Sequence, residues 1–282
     1  MTTPIGGRAV TTGWGLLLAV FSVLALGGCG KRPAAPSERD KPLTLLSAAT
    51  QQASAAQYWA EYDTAVSLTL NGQSRSETWR QVVMQAGQRR RADTYVRGIV
   101  LVQSLLENEQ GQFMCAYVAN LDRPQCLRLE RAAGGALFDG LRYAMEQGLV
   151  TLETHSETAQ IEDVARSCQH FDYAMHVDQM SPEKLQGLLH AAWPQQPSAN
   201  ITPEADSGIQ AITGSFCLDK ELGIPLMTSV NLAYRSGEAD HLMEAIIQTT
   251  QTITWLMPTP LLSDEEFRLP DAAEVLPASV GE

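Results

Sequence analysis

Hydrophobic positions along the chain change period several times, and each change marks an element. Leu43, Leu45, Leu46, Ala49, Ala53 and Ala56 recur at helical spacing and predict a helix over 43–58. The period then becomes two. Tyr62, Thr64, Val66, Leu68 and Leu70 alternate with polar neighbours, and Asn71-Gly72 closes that strand with a strong hairpin signal. Strand-like runs follow over 77–86, 90–97, 99–106, 112–118 and 125–130, separated by Gly87, Gly98 and the polar turn ending at Gly111. They predict a meander of short antiparallel strands.

Helical spacing returns at Leu137, Phe138, Leu141, Ala144 and Met145 and stops at Gln147-Gly148. The run 168–177 reads as extended. Ser181 is a fitting N-cap, with Pro182 at the first helical position and Leu185, Leu188 and Leu189 on one face. A polar loop covers 195–208. Alternation resumes over 212–219, turns at 220–225, and continues through Leu226 to Tyr234 and Met243 to Trp255. No repeat and no domain-sized linker interrupts the pattern, so it predicts one α+β domain over 43–271. A long antiparallel sheet with helices on one face is its simplest layout, with 272–282 as a flexible tail.

The first residues follow a different grammar. Arg8 is the only charge before a charge-free run from Trp14 to Gly28, short against the roughly 20 residues that cross a bilayer. A basic start, a short apolar stretch and small residues at its end make a secretory signal over 1–28. Leu26-Gly27-Gly28-Cys29 resembles the lipobox of bacterial lipoproteins, in which the cysteine takes diacylglycerol and becomes the new amino terminus. That resemblance implies lipidation at Cys29 and a membrane-anchored, extracytoplasmic protein, on the periplasmic side or outer membrane of a Gram-negative cell, otherwise at the cell surface. The competing reading is an uncleaved anchor, which Lys31 and Arg32 favour because they resist export. The segment 29–42, polar and proline-rich, suits an extended tether.

Cysteine usage changes the picture further. Of five cysteines, Cys29 is set aside, which leaves Cys115, Cys126, Cys168 and Cys217. An even remainder in an exported chain predicts two disulfides, with three connectivities open. Alternation around Phe113, Cys115 and Tyr117, and the turn before Cys126, set Cys115 opposite Cys126 across a hairpin; Cys168 then falls to Cys217. The formal net charge of -12 argues against nucleic-acid binding and against general adhesion to anionic lipid.

Helix, meander, inserted helices and closing strands resemble the LolA/LolB superfamily and the related LppX-type lipoproteins. Two stretches carry the likeness: 217–226, reading CLDKELGIPL, as a strand-turn-strand, and 263–270, reading SDEEFRLP, as a closing segment. The resemblance implies a curved antiparallel β-sheet, an incomplete barrel, with helices packed on its open side. It also implies a cavity that takes a lipid or other hydrophobic ligand. The alternative is an envelope scaffold that docks a protein partner and holds no small molecule.

No catalytic constellation stands out: there is no GxSxG, HExxH, Walker or Rossmann pattern, and no cofactor is expected. The five histidines are scattered. His170 and His176, six apart on one strand, would share a side, a spacing more common among surface or hydrogen-bonded histidines than among ligands, so no metal is expected. Arg89-Arg90-Arg91 is the one basic cluster. Alternation places Arg89 and Arg91 on one face and Arg90 on the other, as on an exposed strand protected against edge pairing. The sharper reading is a contact for lipid phosphate or an acidic partner at the cavity mouth.

Overall fold

The structure is a computed structural model that describes residues 41–118, 123–129, 141, 144–145, 147–179, 208–236 and 243–276. Helix α1 (Lys41–Ala55) opens it, and twelve strands follow: β1 (Gln57–Leu70), β2 (Gln73–Ala86), β3 (Arg89–Val96), β4 (Val100–Asn108), β5 (Gly111–Ala116), β6 (Gln125–Leu129), β7 (Val150–Ile161), β8 (Val164–Met175), β9 (Gly208–Asp219), β10 (Pro225–Ser236), β11 (Met243–Pro258) and β12 (Glu274–Leu276). They form one open sheet in the order β12-β6-β5-β4-β3-β2-β1-β11-β10-β9-β8-β7. All pairings are antiparallel except β12 with β6, which is parallel. Although three strands stand between them, β7 comes back within reach of β11, so the sheet curls.

The expected helix over 43–58 ends earlier than its apolar spacing suggests. Its last turn closes with Ala56 N–H on Ala53 O, and Tyr58 already lies on β1, buried as Ala60 and Tyr62 are. Aromatic residues on a half-buried strand outweigh a weakly apolar helical continuation here. The β1–β2 turn matches its signal: Asn71 and Gly72 both have positive φ, and Leu70 pairs with Gln73. The helical positions Leu141, Ala144 and Met145 end in a Schellman arrangement, with Gly148 N–H on Met145 O and Leu149 N–H on Ala144 O.

Leu46, Ala49 and Ala53 of α1 face the sheet at helical spacing. Leu46 and Ala49 join Leu141, Ala144, Phe171, Tyr173, Phe216 and Leu218 in one core, and Ala53 joins Tyr58, Ala60, Val83, Ala92 and Leu226 in a second. Among the described residues α1 is the one complete helix packed on this inner face. The helix expected from Ser181 lies outside them.

The stretch 217–226 forms the β9–β10 hairpin that the pattern predicts. Asp219 organises it, accepting from the backbone N–H groups of Glu221 and Leu222 and pairing with Arg166. Gly223, at φ +70, brings this turn hard against the α1 backbone at Ala49 and Ala53.

Two elements lie beyond the sequence expectations. β7 was unanticipated because Thr154, His155, Ser156, Glu157 and Thr158 are polar on both faces, which erases the alternation. The domain continues past 271, where a flexible tail was expected: Glu274–Leu276 pair with β6. The segment ahead of β12 covers the outer face. Ser263 caps a short 3₁₀ turn (Asp264–Phe267), Phe267 is buried, and Leu269 and Ala273 pack on Leu106, Phe113, Cys115 and Cys126.

Candidate functional site

The inner face between α1 and the far end of the sheet is banded rather than uniformly apolar. Register sets Tyr58, Gln85, Arg90 and Glu107 in one row across β1–β4. The next inward row holds Ala60, Val83, Ala92 and Leu105, and the one after it Tyr62, Gln81, Thr94 and Gln103. An apolar band thus separates two polar ones. Beyond them Val66 and Trp79 pack with Val96 and Ile247.

The farther polar row is knitted across four strands. Gln251 Nε2 donates to Gln81 Oε1 at 3.0 Å and to Thr64 Oγ1 at 3.3 Å, and Gln81 Nε2 donates to Thr94 Oγ1 at 3.4 Å. Thr64, Gln81, Thr94, Gln103, Thr228, Thr249 and Gln251 are all buried. So many buried amides and hydroxyls on one sheet face are unusual for a plain core, which favours aliphatic side chains.

The nearer row is built round a cation. Arg90 is only 9% exposed, and its charge acts on the Tyr58 phenol in the same row. Gln85 Nε2 donates to Ala53 O at 2.5 Å, satisfying a carbonyl at the end of α1. Gln85 Oε1, Arg90 Nε and, in the farther row, Thr228 Oγ1 are buried without a hydrogen-bond partner. Burial pushes the Tyr58 phenol above its ordinary range, with Arg90 offsetting part of the rise. Burial also pushes Tyr62 well up; its neighbour Tyr58 adds to the rise and Arg90 opposes it.

The basic cluster is therefore not an exposed strand. Its alternation is as expected, but each arginine is engaged. Arg90 points into the inner face. Arg91 holds Asp93 at 2.9 Å and donates to Glu266 O at 3.3 Å. Arg89 pairs with Asp264 and lies over the Phe267 ring, 4.9 Å from its centroid. The C-terminal segment covers two of them, and nothing in local alternation signals that.

Cys29 lies outside the described residues. Cys115 joins Cys126 across β5 and β6, and Cys168 joins Cys217 across β8 and β9, with Cα atoms 3.9 and 5.6 Å apart respectively. His170 and His176 do not come together. His176 falls just beyond β8, its Nε2 2.9 Å from Thr151 Oγ1, while His170 stacks on His155 of β7. The glutamine and threonine rows went unread because alternation marks Thr64 as inward but does not say what stands beside it. Hairpin registers would have brought Gln81 and Thr94 alongside.

This is an open, curled antiparallel sheet with a helix on its inner face and an amphipathic lining. No family profile and no curated protein matches the sequence. Several solved structures overlap it. One is a DUF1329 family protein from Desulfovibrio piger, at 9% identity and TM-score 0.34, covering 83% of this chain and 98% of that one. Another is a domain described as an outer membrane lipoprotein-sorting protein, from Vibrio parahaemolyticus, at 10% identity and TM-score 0.33, covering 82% and 97%. A third is the Pseudomonas aeruginosa MucA/MucB complex, at 12% identity and TM-score 0.35; it covers 85% of this chain, which spans 64% of the matched one. At these TM-scores the overlaps carry no function, which rests on the side chains above.

Proposed function

We propose that this protein works outside the cytoplasm, tethered through a lipid on Cys29, and holds an amphiphile against the inner face of its sheet without transforming it. One observation carries the reading: the inner face pairs apolar bands with buried polar rows in which Gln85 Oε1, Arg90 Nε and Thr228 Oγ1 lack partners. A buried polar atom left unpaired costs about 1–3 kcal/mol, and a ligand head group that supplies the missing bond removes that cost. An acyl chain on the apolar bands adds about 0.8 kcal/mol per buried CH₂. Among the described residues no helix is long and apolar enough to cross a membrane.

Native mass spectrometry of detergent-extracted protein, with displacement of a fluorescent fatty-acid probe, tests the proposal. The expected result is co-purified amphiphile and probe binding that Val83→Trp or Ala92→Trp abolishes by filling the apolar band. Protein that carries nothing and ignores the probe would overturn it.

A second reading, a scaffold that docks an envelope partner, draws on a separate feature. Leu70, Ile99, Val100, Val118 and Ile246 are exposed, and all stand at the end of the sheet away from α1. Crosslinking in membranes from this rim, giving a stoichiometric protein complex with an empty inner face, would favour it.

A further inference from the structure

A second cluster sits away from the inner face, on the strand pair that closes one side of the sheet. His155 of β7 pairs directly with His170 of β8, and Glu157 and Asp172 stand diagonally beside them. Strand alternation puts all four on the face opposite Phe171 and Tyr173. The two imidazoles stack with centroids 4.6 Å apart. Glu157 Oε2 lies 2.7 Å from His170 Nδ1 and 4.0 Å from His155 Nε2, while Asp172 Oδ1 lies 3.2 Å from His170 Nε2.

The contact between His170 Nδ1 and Glu157 is close but misaligned. The distance is that of an ion pair, yet Nδ1, on a residue 8% exposed, is buried without a hydrogen-bond partner. His170 Nδ1 is thus a buried ring nitrogen with a carboxylate oxygen close by and its hydrogen-bonding capacity unused. One ligand atom from each of His155, Glu157 and His170 lies within 4.8 Å of the others. Tetrahedral ligation at metal–ligand distances of 2.0–2.1 Å sets such atoms about 3.4 Å apart. His155 and Glu157, with side chains 57% and 46% exposed, are free to rotate by that difference, while buried His170 provides the fixed member. On the same face, the Cys168–Cys217 bridge lies beside the site and holds the strand carrying His170: Glu157 pairs with Cys168 and His170 with Cys217, whose Sγ is 4.0 Å from Glu157 Oε2.

We propose that His155, Glu157 and His170, with Asp172 beside them, bind one divalent first-row transition ion. Two imidazoles and a carboxylate suit zinc, copper(II) or nickel, whereas magnesium and calcium require mainly oxygen ligands. The carboxylates of Glu157 and Asp172 also add negative charge around the site. Bound metal ties β7, whose middle is exposed, to the buried middle of β8. The sequence concealed this arrangement because β7 shows no alternation, so the partner of His170 appeared to be His176 instead of His155.

Calorimetric titration of the untagged full chain in detergent with zinc, copper(II), nickel, magnesium and calcium tests the assignment. One equivalent of at least one transition ion should bind, with no saturable magnesium or calcium binding. His155→Asn and Glu157→Gln, both at exposed positions, should weaken it at least tenfold, and His176→Asn should not. The thermal unfolding midpoint should rise with metal in the parent chain and in His176→Asn but not in His155→Asn or Glu157→Gln, and without metal the variants should unfold as the parent does. Absence of transition-metal binding, binding unchanged by His155→Asn, or equal affinity for calcium would overturn the proposal.

Discussion

Gly214 and Gly223 are defined by what occupies the place of a side chain. A Cβ at Gly214 would run into Ser229 O and the Tyr173 phenol, so the ring of one strand fills the gap left by the next. At Gly223 a Cβ would run into Ala49 O of α1, at a backbone φ of +70 that already disfavours other residues. Gly72, at φ +80 in the first hairpin, meets nothing within 4 Å. The two separate conformational strain from steric exclusion. Gly72→Ala should cost about 1 kcal/mol and Gly223→Ala about 3 kcal/mol or more, read as shifts in urea midpoint at constant slope. Comparable losses would mean that the β9–β10 turn does not press on the helix. At this scale the sequence was partly legible. Alternation marks Thr64 and Tyr62 as inward, but the ladder from Gln81 to Gln251 joins positions 170 residues apart, a relation no local window contains.

Among elements, legibility followed amphipathy. β1, β10 and β11 carry clear period-two patterns, while β7 is polar through its middle and β12 has only three residues, all exposed. Both of the latter depend on their neighbours for pairing rather than on their own pattern. The disulfides differ in what they tie. Cys115–Cys126 closes a separation of 11 residues inside one hairpin, and Cys168–Cys217 one of 49 residues between β8 and β9. Chain-entropy reasoning gives the longer closure about 1 kcal/mol more stabilisation. Cys168→Ser with Cys217→Ser should therefore lower stability further than Cys115→Ser with Cys126→Ser, measured by equilibrium denaturation under oxidising conditions. The reverse order would place the main constraint at the β5–β6 hairpin.

At the scale of the molecule, an open antiparallel sheet with helical packing was legible, and its strand order was not, because order depends on which distant edges meet. Alkaline stability is a property of the whole core. Burial raises the Tyr58, Tyr62 and Tyr173 phenols above their ordinary 10.0, so each folded site holds its proton more tightly than the unfolded chain. Their contribution is complete below pH 10.0 and is lost as pH rises beyond it. Denaturation midpoints should be level near pH ~8 and fall steeply by pH ~11, with a shallower fall for Tyr62→Phe. A midpoint unchanged at pH ~11 would mean that these hydroxyls reach solvent. The pairing of β1 with β11 has a consequence for assembly. A polypeptide made from its amino end completes the β1–β6 meander while residues 243–258 do not yet exist, so the flank of β1 waits, raw and adhesive, for a mate that arrives almost last. The weld between the two halves thus has to wait for nearly the whole chain, and a nascent molecule halted before it carries a ready template for joining its neighbours.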